Sequence, residues 1–566
     1  MTAPRFPRPL AAALFGLYAA WSFVVPIYEA PDEPAHWQYA RHLREHRSLP
    51  IYGPGFGEAN SPPLAYVLFA PFAVEVGSPD MVVGRTPAQE LRSMAPPRMF
   101  LNTGESFERF WPVRWARLLA ALISLGTVLF TWRAGLAARD AETGLVAALV
   151  AGLLPMFAFR AGQVSNDALV ACASAAATWG LVRLVREPFS WRIALATSAA
   201  VAIAYLSKIN AIALVPPLAF ALLAAGPADG WRVRGLRLAA LALAAAIVLP
   251  WTIRNVRLYG DPFASEAMRT AVAAIITDRP LLSPYFATDF PRALAKSFVG
   301  IFGWASLTMP TPVYRAWWLF FAIGGAGVVA GLWRRTIDWR LAGVLGLAGL
   351  AALAVVVRIN LQFTQPQGRY LLPGLPAFAV LMGLGLRSLS PMVTRTASPL
   401  GVGLLLAAAN LYALVGVTWP AFYPPPLRTL ASGSRVMVPT ILTDLAMLDG
   451  EAHYLVSGPA PRWSTPIDAD ADGFAAFEVD LQARAAVVPQ RACLRWAYSA
   501  PALDSAATAS CVPWRADGTL HHVRLPLRGA PGWQGRVSHL QLVPFGGDPA
   551  PTGLDLWMRD PRLVPR

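Results

Sequence analysis

Long apolar runs broken by short polar turns set the pattern of this chain. Runs near residues 10–28, 113–134, 142–159, 166–185, 190–206, 209–226, 236–254, 313–333, 340–357, 371–387 and 398–418 approach the ~20 residues that a helix needs to cross a bilayer. They predict about eleven transmembrane helices. Lys208 divides what would otherwise be one long apolar tract into two of these runs. Beyond about residue 430 the period changes from helical to two. FEVDL (477–481), LRWAY (494–498), VRLPL (523–527), LQLV (540–543) and LDLWM (554–558) alternate apolar and polar positions. Turn signals at Ala516-Asp517-Gly518 and Gly546-Gly547-Asp548 separate some of these runs. Such alternation predicts a small antiparallel sandwich. The expected fold class is an all-α polytopic membrane protein over residues 1–425, followed by a β-sandwich accessory domain over 430–566.

Composition agrees with the helical pattern. Of 566 residues, 55% are hydrophobic and 14% charged, against about a quarter charged in soluble proteins. The net charge of +15 would suit a nucleic-acid binder, but its distribution points to topology instead. Arg5 and Arg8; Arg133 and Arg139; Arg183, Arg186 and Arg192; Arg232, Arg234 and Arg237; Arg334, Arg335 and Arg340; and Arg387 and Arg395 fall in every second loop. Basic loops stay on the cytoplasmic side. The N-terminus is therefore expected inside, in the plasma membrane. The loops 29–112 and 255–312 and the C-terminal domain are expected outside, and no nucleic-acid partner is expected. Ala11–Ile27 reads as a retained first helix, because it is long for a signal core and no small-residue cleavage site follows it. Outside the cytoplasm, Cys493 and Cys511 would be able to form a disulfide.

The chemistry concentrates just after the first apolar run, in VVPIYEAPDEPAHWQYARHLREHRSLP (24–50). Asp32 and Glu33 precede Pro34, a residue that suits a first helical turn, and either acid is placed to cap that helix. His36 lies four residues after Asp32 and three after Glu33, spacings at which each acid could share a helix face with it. Asp32, Glu33 and His36 are the expected catalytic set. A carboxylate–carboxylate–imidazole trio also has the donor types of a divalent-metal site, although three ligands at helical spacing are not a sharp signature. Cations on the same side are expected to bind an anion: Lys208, Arg254 and Arg369, the last flanked by Gln365, Gln367 and Tyr370. A lysine in an apolar stretch needs a partner or a task, and arginine suits bidentate phosphate recognition. Asn166 and Asp167 open a span and read as helix caps. Asp468, Asp470 and Asp472 begin like a calcium loop, but Val479 stands at the twelfth position, where a glutamate is required.

PDEPAH (31–36), SNDAL (165–169), LSKINA (206–211), RNVRLYGDPF (254–263), SFVGIFGW (297–304) and QGRYLLP (367–373), in this order and topology, resemble the GT-C superfamily of integral-membrane glycosyltransferases. The resemblance covers roughly residues 10–420. It is similar in kind to the protein O-mannosyltransferases and the lipid A aminoarabinose transferase, and closer to a prokaryotic membrane family of unsettled substrate. It implies transfer of a sugar from a polyprenyl-phosphate donor to a glycan, lipid or protein on the outer face of the plasma membrane. It implies an acid in the first outer loop acting as base or metal ligand, which falls on Asp32 with Glu33 second. Donor phosphate would fall to Lys208, Arg254, Arg369, Gln367 and Tyr370. Two other activities share this topology: a polymerase or ligase of lipid-linked oligosaccharides, and a transporter or flippase of lipid-linked sugars. A non-catalytic scaffold that presents the β domain is a further alternative.

Overall fold

Prolines, a lysine and glycines divide the apolar sequence into helices. The computed structural model describes residues 4–53, 57–76, 110–225, 230–271, 276–389, 399–422, 428–429, 434–437, 441–449, 453–486, 490–497, 509–546 and 552–566. Seven helices among these are long and apolar enough to cross a membrane: Trp111–Ala138, Asp167–Arg186, Trp231–Tyr259, Thr311–Trp333, Trp339–Asn360, Gly368–Ser388 and Pro399–Phe422. The pair Ala141–Leu153 and Pro155–Ala161, bent by 67°, makes an eighth if counted as one span. The remaining expected spans are shorter apolar helices, Arg8–Val24, Trp191–Ser207 and Ile209–Ala224. The expected eleven thus become seven or eight by length and composition, and the breaks have local causes. Pro155 has no N–H to continue the preceding helix. Lys208 is extended, at φ −156° and ψ 128°, between two helical stretches.

Close backbone approach between helices depends on glycine, as is common where lipid supplies no hydrophobic drive for helix association. A Cβ on Gly135 would stand 2.7 Å from the Cα of Gly144 on the next helix. Gly327 and Gly385 likewise allow the backbones of Thr311–Trp333 and Gly368–Ser388 to touch. Of the described residues, 4–76, 110–302 and 308–417 form one compact unit, and 303–307 with 418–566 form the other.

In the helical unit, the residues with chemistry lie at the ends of helices. Asp32 immediately precedes the helix Glu33–His46. Asp167 begins Asp167–Arg186. Lys208 follows Trp191–Ser207. Arg369 lies in the 3₁₀ turn Gly368–Gly374. Two of the motif stretches also meet there: Ser297 Oγ donates to the Pro366 carbonyl at 3.0 Å and accepts the Gly368 N–H. A Cβ on Gly368 would collide with the Phe298 backbone, so only glycine allows that approach.

In the second unit, each of the five alternating runs overlaps a strand, although Leu527 and Leu554 lie just outside theirs and Tyr498 lies outside the described residues. One antiparallel sheet orders Ala509–Trp514, Gln490–Ala497, Arg536–Val543, Arg462–Asp470 and Ile441–Thr443. The other orders His521–Pro526, Phe474–Ala483, Asp555–Pro565, Arg435–Val436 and Arg428–Thr429; Leu445–Asp449 pairs with His453–Val456, which joins through Asp555–Pro565. Trp463, Leu494 and Leu540 from the first sheet and Phe477, Val523 and Leu556 from the second share one buried core. Of the calcium-like acids, Asp468 and Asp470 lie in the strand Arg462–Asp470, and the Asp470 carboxylate accepts the Asp472 N–H at 3.1 Å in the turn that follows. Cys493 and Cys511 stand opposite each other in neighbouring strands and are disulfide-bonded.

A thiol-reactive probe applied to the denatured, unreduced protein should label Cys172 alone, and reduction should expose Cys493 and Cys511 as well. Cys493→Ser should cost roughly 3 kcal/mol of stability in the C-terminal unit, the value expected for a loop of this size, read from its thermal unfolding.

Candidate active site

The PDEP turn is built around an ion pair that local spacing does not reveal. Glu33 does not cap its helix or face the site; its side chain is fully buried with that of Arg117. Glu33 Oε1 accepts from Arg117 Nε at 2.8 Å and from the Val164 N–H at 2.9 Å. Its Oε2 accepts from Arg117 Nη2 at 2.6 Å and from the Tyr28 N–H at 3.0 Å. Arg117 spends its remaining donors on the carbonyls of Ser22 at 2.7 Å, Val25 at 2.6 Å and Pro26 at 2.9 Å. Both carboxylate oxygens and all five guanidinium N–H groups are therefore used within the fold. The pair ties together the C-terminal end of the first helix, the PDEP turn and the loop before Asp167. Glu33 is thus placed as an anchor, not as a second acid facing substrate.

That anchoring presents Asp32 in the left-handed region, at φ 66°, a conformation uncommon outside glycine and asparagine or aspartate. The side chain makes no cap hydrogen bond and reaches Arg369 instead, where Nη2 donates to Asp32 Oδ2 at 2.5 Å. Arg369 is held in turn by Gln367, whose Oε1 accepts from Nε at 2.6 Å. Burial alone would raise the Asp32 pKa, but Arg369 above all, with His36 and Arg160, brings it down to about 2. Asp32 is therefore an ionised carboxylate at neutral pH, and its side chain stays about one-third exposed.

His36 is where its spacing predicts, beside Asp32, but its surroundings keep it neutral. Burial lowers its pKa to about 3, with Arg160 and Lys208 contributing against the partial help of Asp32. His36 Nδ1 and Tyr66 Oη share a hydrogen bond at 3.0 Å whose direction follows the imidazole tautomer. Tyr66 Oη also accepts from Asn166 Nδ2 at 3.1 Å, and Tyr39 stacks on the Tyr66 ring at 4.0 Å. Glu58, from the turn before that tyrosine's helix, completes the cluster. Its Oε2 accepts from Ser61 Oγ at 2.8 Å and lies 3.9 Å from His36 Nδ1. Burial, with the charge of Asp32, pushes the Glu58 pKa up to about 7.

The cations gather around a second carboxylate. Asp167 is not a helix cap; its Oδ2 accepts from Arg160 Nε at 2.7 Å and its Oδ1 from Lys208 Nζ at 2.5 Å. This is the partner that a lysine in an apolar tract requires. Tyr370 faces both Lys208 and Arg369, at 5.1 and 5.2 Å from its ring centre, and its hydroxyl donates to Gln365 Oε1 at 2.8 Å. Lys208, Arg369, Gln367 and Tyr370 are therefore brought together as expected. Arg254 is placed differently. It donates to the Pro50 carbonyl at 2.6 Å and to Asn255 at 3.2 Å and packs over Trp251, so it braces the backbone at Pro50.

The expected metal trio is also redrawn. Asp32, His36 and Glu58, with Glu58 in place of Glu33, offer donor atoms within 4.8 Å of one another. The spacing and donor types permit a divalent cation. Arg369 on Asp32, together with Arg160 and Lys208 close enough to act on His36, opposes a further positive charge there.

The Glu33–Arg117 pair generates a stability prediction. Arg117→Met should lower the stability of the detergent-solubilised protein by about 3–5 kcal/mol, because it leaves a buried carboxylate uncompensated. Glu33→Gln/Arg117→Met should be milder than the sum of its singles. Thermal unfolding of the three variants measures both effects.

Residues 106–253 match the family model described as dolichyl-phosphate-mannose-protein mannosyltransferase. No curated protein matches the chain. Among solved structures, ArnT from Cupriavidus metallidurans bound to undecaprenyl phosphate is 17% identical over 72% of this chain and 65% of that one, with TM-score 0.42. The Archaeoglobus fulgidus oligosaccharyltransferase tethered with an acceptor peptide is 13% identical over 74% of this chain and 55% of that one, with TM-score 0.41. Arabinosyltransferase EmbB from Mycobacterium smegmatis is 14% identical over 100% of this chain and 66% of that one, with TM-score 0.32. The family match covers residues 106–253 alone, about a quarter of the chain.

Proposed function

We propose that the protein is a GT-C glycosyltransferase that moves a sugar from a polyprenyl-phosphate donor to a glycan, lipid or protein acceptor at the outer face of the plasma membrane. The observation that carries this reading is the Asp32–Arg369 pair standing beside the Lys208–Asp167–Arg160 cluster. It combines an ionised, partly exposed carboxylate with cations suited to a phosphate. Transfer from a lipid phosphate requires both. A developing positive charge at the anomeric carbon is stabilised by a fixed carboxylate, and the departing phosphate by arginine and lysine. The family match over residues 106–253 supports the same class of chemistry.

Placement at the outer face rests on the arginine-rich alternate loops, which are expected on the cytoplasmic side. The helix ends that carry Asp32, Asp167, Lys208 and Arg369 would then all open outward. Lipid-linked sugars, not nucleotide sugars, are the donors available there.

Asp32→Asn should abolish sugar transfer while leaving the protein folded, because its side chain lies outside the apolar spans and is partly exposed. Label from undecaprenyl-phosphate sugars incorporated by membranes containing the full chain is the measurement; normal incorporation by Asp32→Asn would refute the reading. Arg369→Ala should weaken undecaprenyl phosphate binding about 10- to 100-fold, the range expected for one charge-assisted contact. A binding titration on purified protein decides that. Unchanged affinity would remove Arg369 from the donor site.

A further inference from the structure

The described carboxylates around the PDEP turn are not equivalent. Glu33 is saturated by Arg117. Asp32 gives an oxygen to Arg369. Asp167 is shared between Arg160 and Lys208. Glu58 differs from all three. Among the described residues its carboxylate has no arginine or lysine partner; it accepts only the Ser61 hydroxyl and has the His36 imidazole at 3.9 Å. It is about one-quarter exposed, and its donor atom lies within 4.8 Å of those of Asp32 and His36.

A carboxylate whose charge is held by a guanidinium is a weak base, because taking a proton destroys the ion pair. One held by a hydroxyl alone pays no such penalty. We infer that Glu58, and not Asp32, takes the proton from the acceptor hydroxyl, while Asp32 supplies fixed negative charge and holds Arg369. The inference rests on the sugar-transfer reading above and divides the work within that same site.

The step balances as follows. The acceptor O–H gives its proton to a Glu58 oxygen, and the acceptor oxygen forms the new bond to the anomeric carbon. The bond from that carbon to the phosphate oxygen breaks, and its electron pair leaves with the polyprenyl phosphate beside Lys208 and Arg369. Glu58 then returns its proton to water. Beyond donor and acceptor, no oxidant, reductant or further co-reactant is needed.

The groups that face Glu58 come from several elements. Asp32 and His36 lie at the start of the PDEP helix, Ser61 in the turn, and Lys208 and Arg369 at two further helix ends. Of these, only Ser61 bonds to it directly.

The test uses membranes carrying the full chain and undecaprenyl-phosphate sugars labelled in the sugar, a hexose series and a pentose, with the membranes' own acceptors. Glu58→Ala should lower the transfer rate about 10²- to 10⁴-fold, the usual contribution of a positioned base, while undecaprenyl phosphate binds the purified variant as it binds the wild type. Added formate should restore part of the rate in Glu58→Ala and none in Asp32→Ala. Glu58→Gln, which preserves shape, should be as impaired as Glu58→Ala without formate.

Full activity in Glu58→Gln would overturn the inference. So would rescue of Asp32→Ala in place of Glu58→Ala, or failure of formate to rescue either. Manganese binding to the purified wild type, measured directly, serves as a further arm. Binding that is lost in Glu58→Ala together with a manganese-dependent rate would make the carboxylate a ligand and overturn its role as base. If the wild type itself moves no label from any of these donors, the transfer reading fails instead.

Discussion

One buried ion pair decides where everything else in the site stands. Arg117 lies within the apolar helix Trp111–Ala138, where an unpartnered guanidinium would be costly. Glu33 supplies its counter-charge, and the carbonyls of Ser22, Val25 and Pro26 take its other donors. Those carbonyls belong to the end of the first helix and the residues just after it, where backbone acceptors have no intrahelical partner. The same pair also captures the N–H groups of Tyr28 and Val164. A single arginine thus fixes the exit of one helix, the turn that follows and the loop that leads to Asp167. Asp32 can sit at a positive φ because its neighbour on the C-terminal side cannot move.

Around that fixed turn the charges are arranged in pairs, not pooled. Asp32 meets Arg369, and Asp167 meets Lys208 and Arg160. Each cation is therefore held by a carboxylate before any anion arrives, so an incoming phosphate would exchange partners instead of meeting loose side chains. Glu58 and His36 stand outside this pairing, with a hydroxyl and a phenol as their closest partners. The cluster accordingly has one side where carboxylates and cations are paired and another where Glu58 and His36 bond only to neutral groups.

Much of this was legible in the chain itself, and what escaped did so for a definite reason. Helical spacing placed His36 beside Asp32, and the oddity of Lys208 in an apolar tract pointed to a partner, which is Asp167. The cluster of Gln367, Arg369 and Tyr370 was visible from its local density of hydrogen-bonding groups. Period-two alternation found five of the β-strands but not Arg462–Asp470 or Ala509–Trp514, whose patterns are irregular. Local position reads Glu33 as a cap and a second catalytic acid, and Asp167 as a cap, because it is all that a short motif reports. Their real partners, Arg117 and the Arg160–Lys208 pair, become neighbours only through folding. The signal that could have found Arg117 was present: an arginine one turn or more inside an apolar run demands a counter-charge. Glu58 and Tyr66 carried no comparable sign, since an acid or a phenol in a loop needs no explanation. The span count fell short because Arg8–Val24, Trp191–Ser207 and Ile209–Ala224 are apolar enough but short.

The two acids of the PDEP turn also differ in how long they must wait for their partners. Glu33 and Arg117 are 84 residues apart, whereas Asp32 and Arg369 are separated by 337. In a chain made from its N-terminus, the structural bond can close as soon as the Trp111–Ala138 helix is in place. The Asp32–Arg369 bond must await almost the whole helical unit. A nascent chain therefore acquires its scaffold early and its chemistry late. A chain interrupted before residue 369 would hold the Glu33–Arg117 anchor with Asp32 still lacking its arginine.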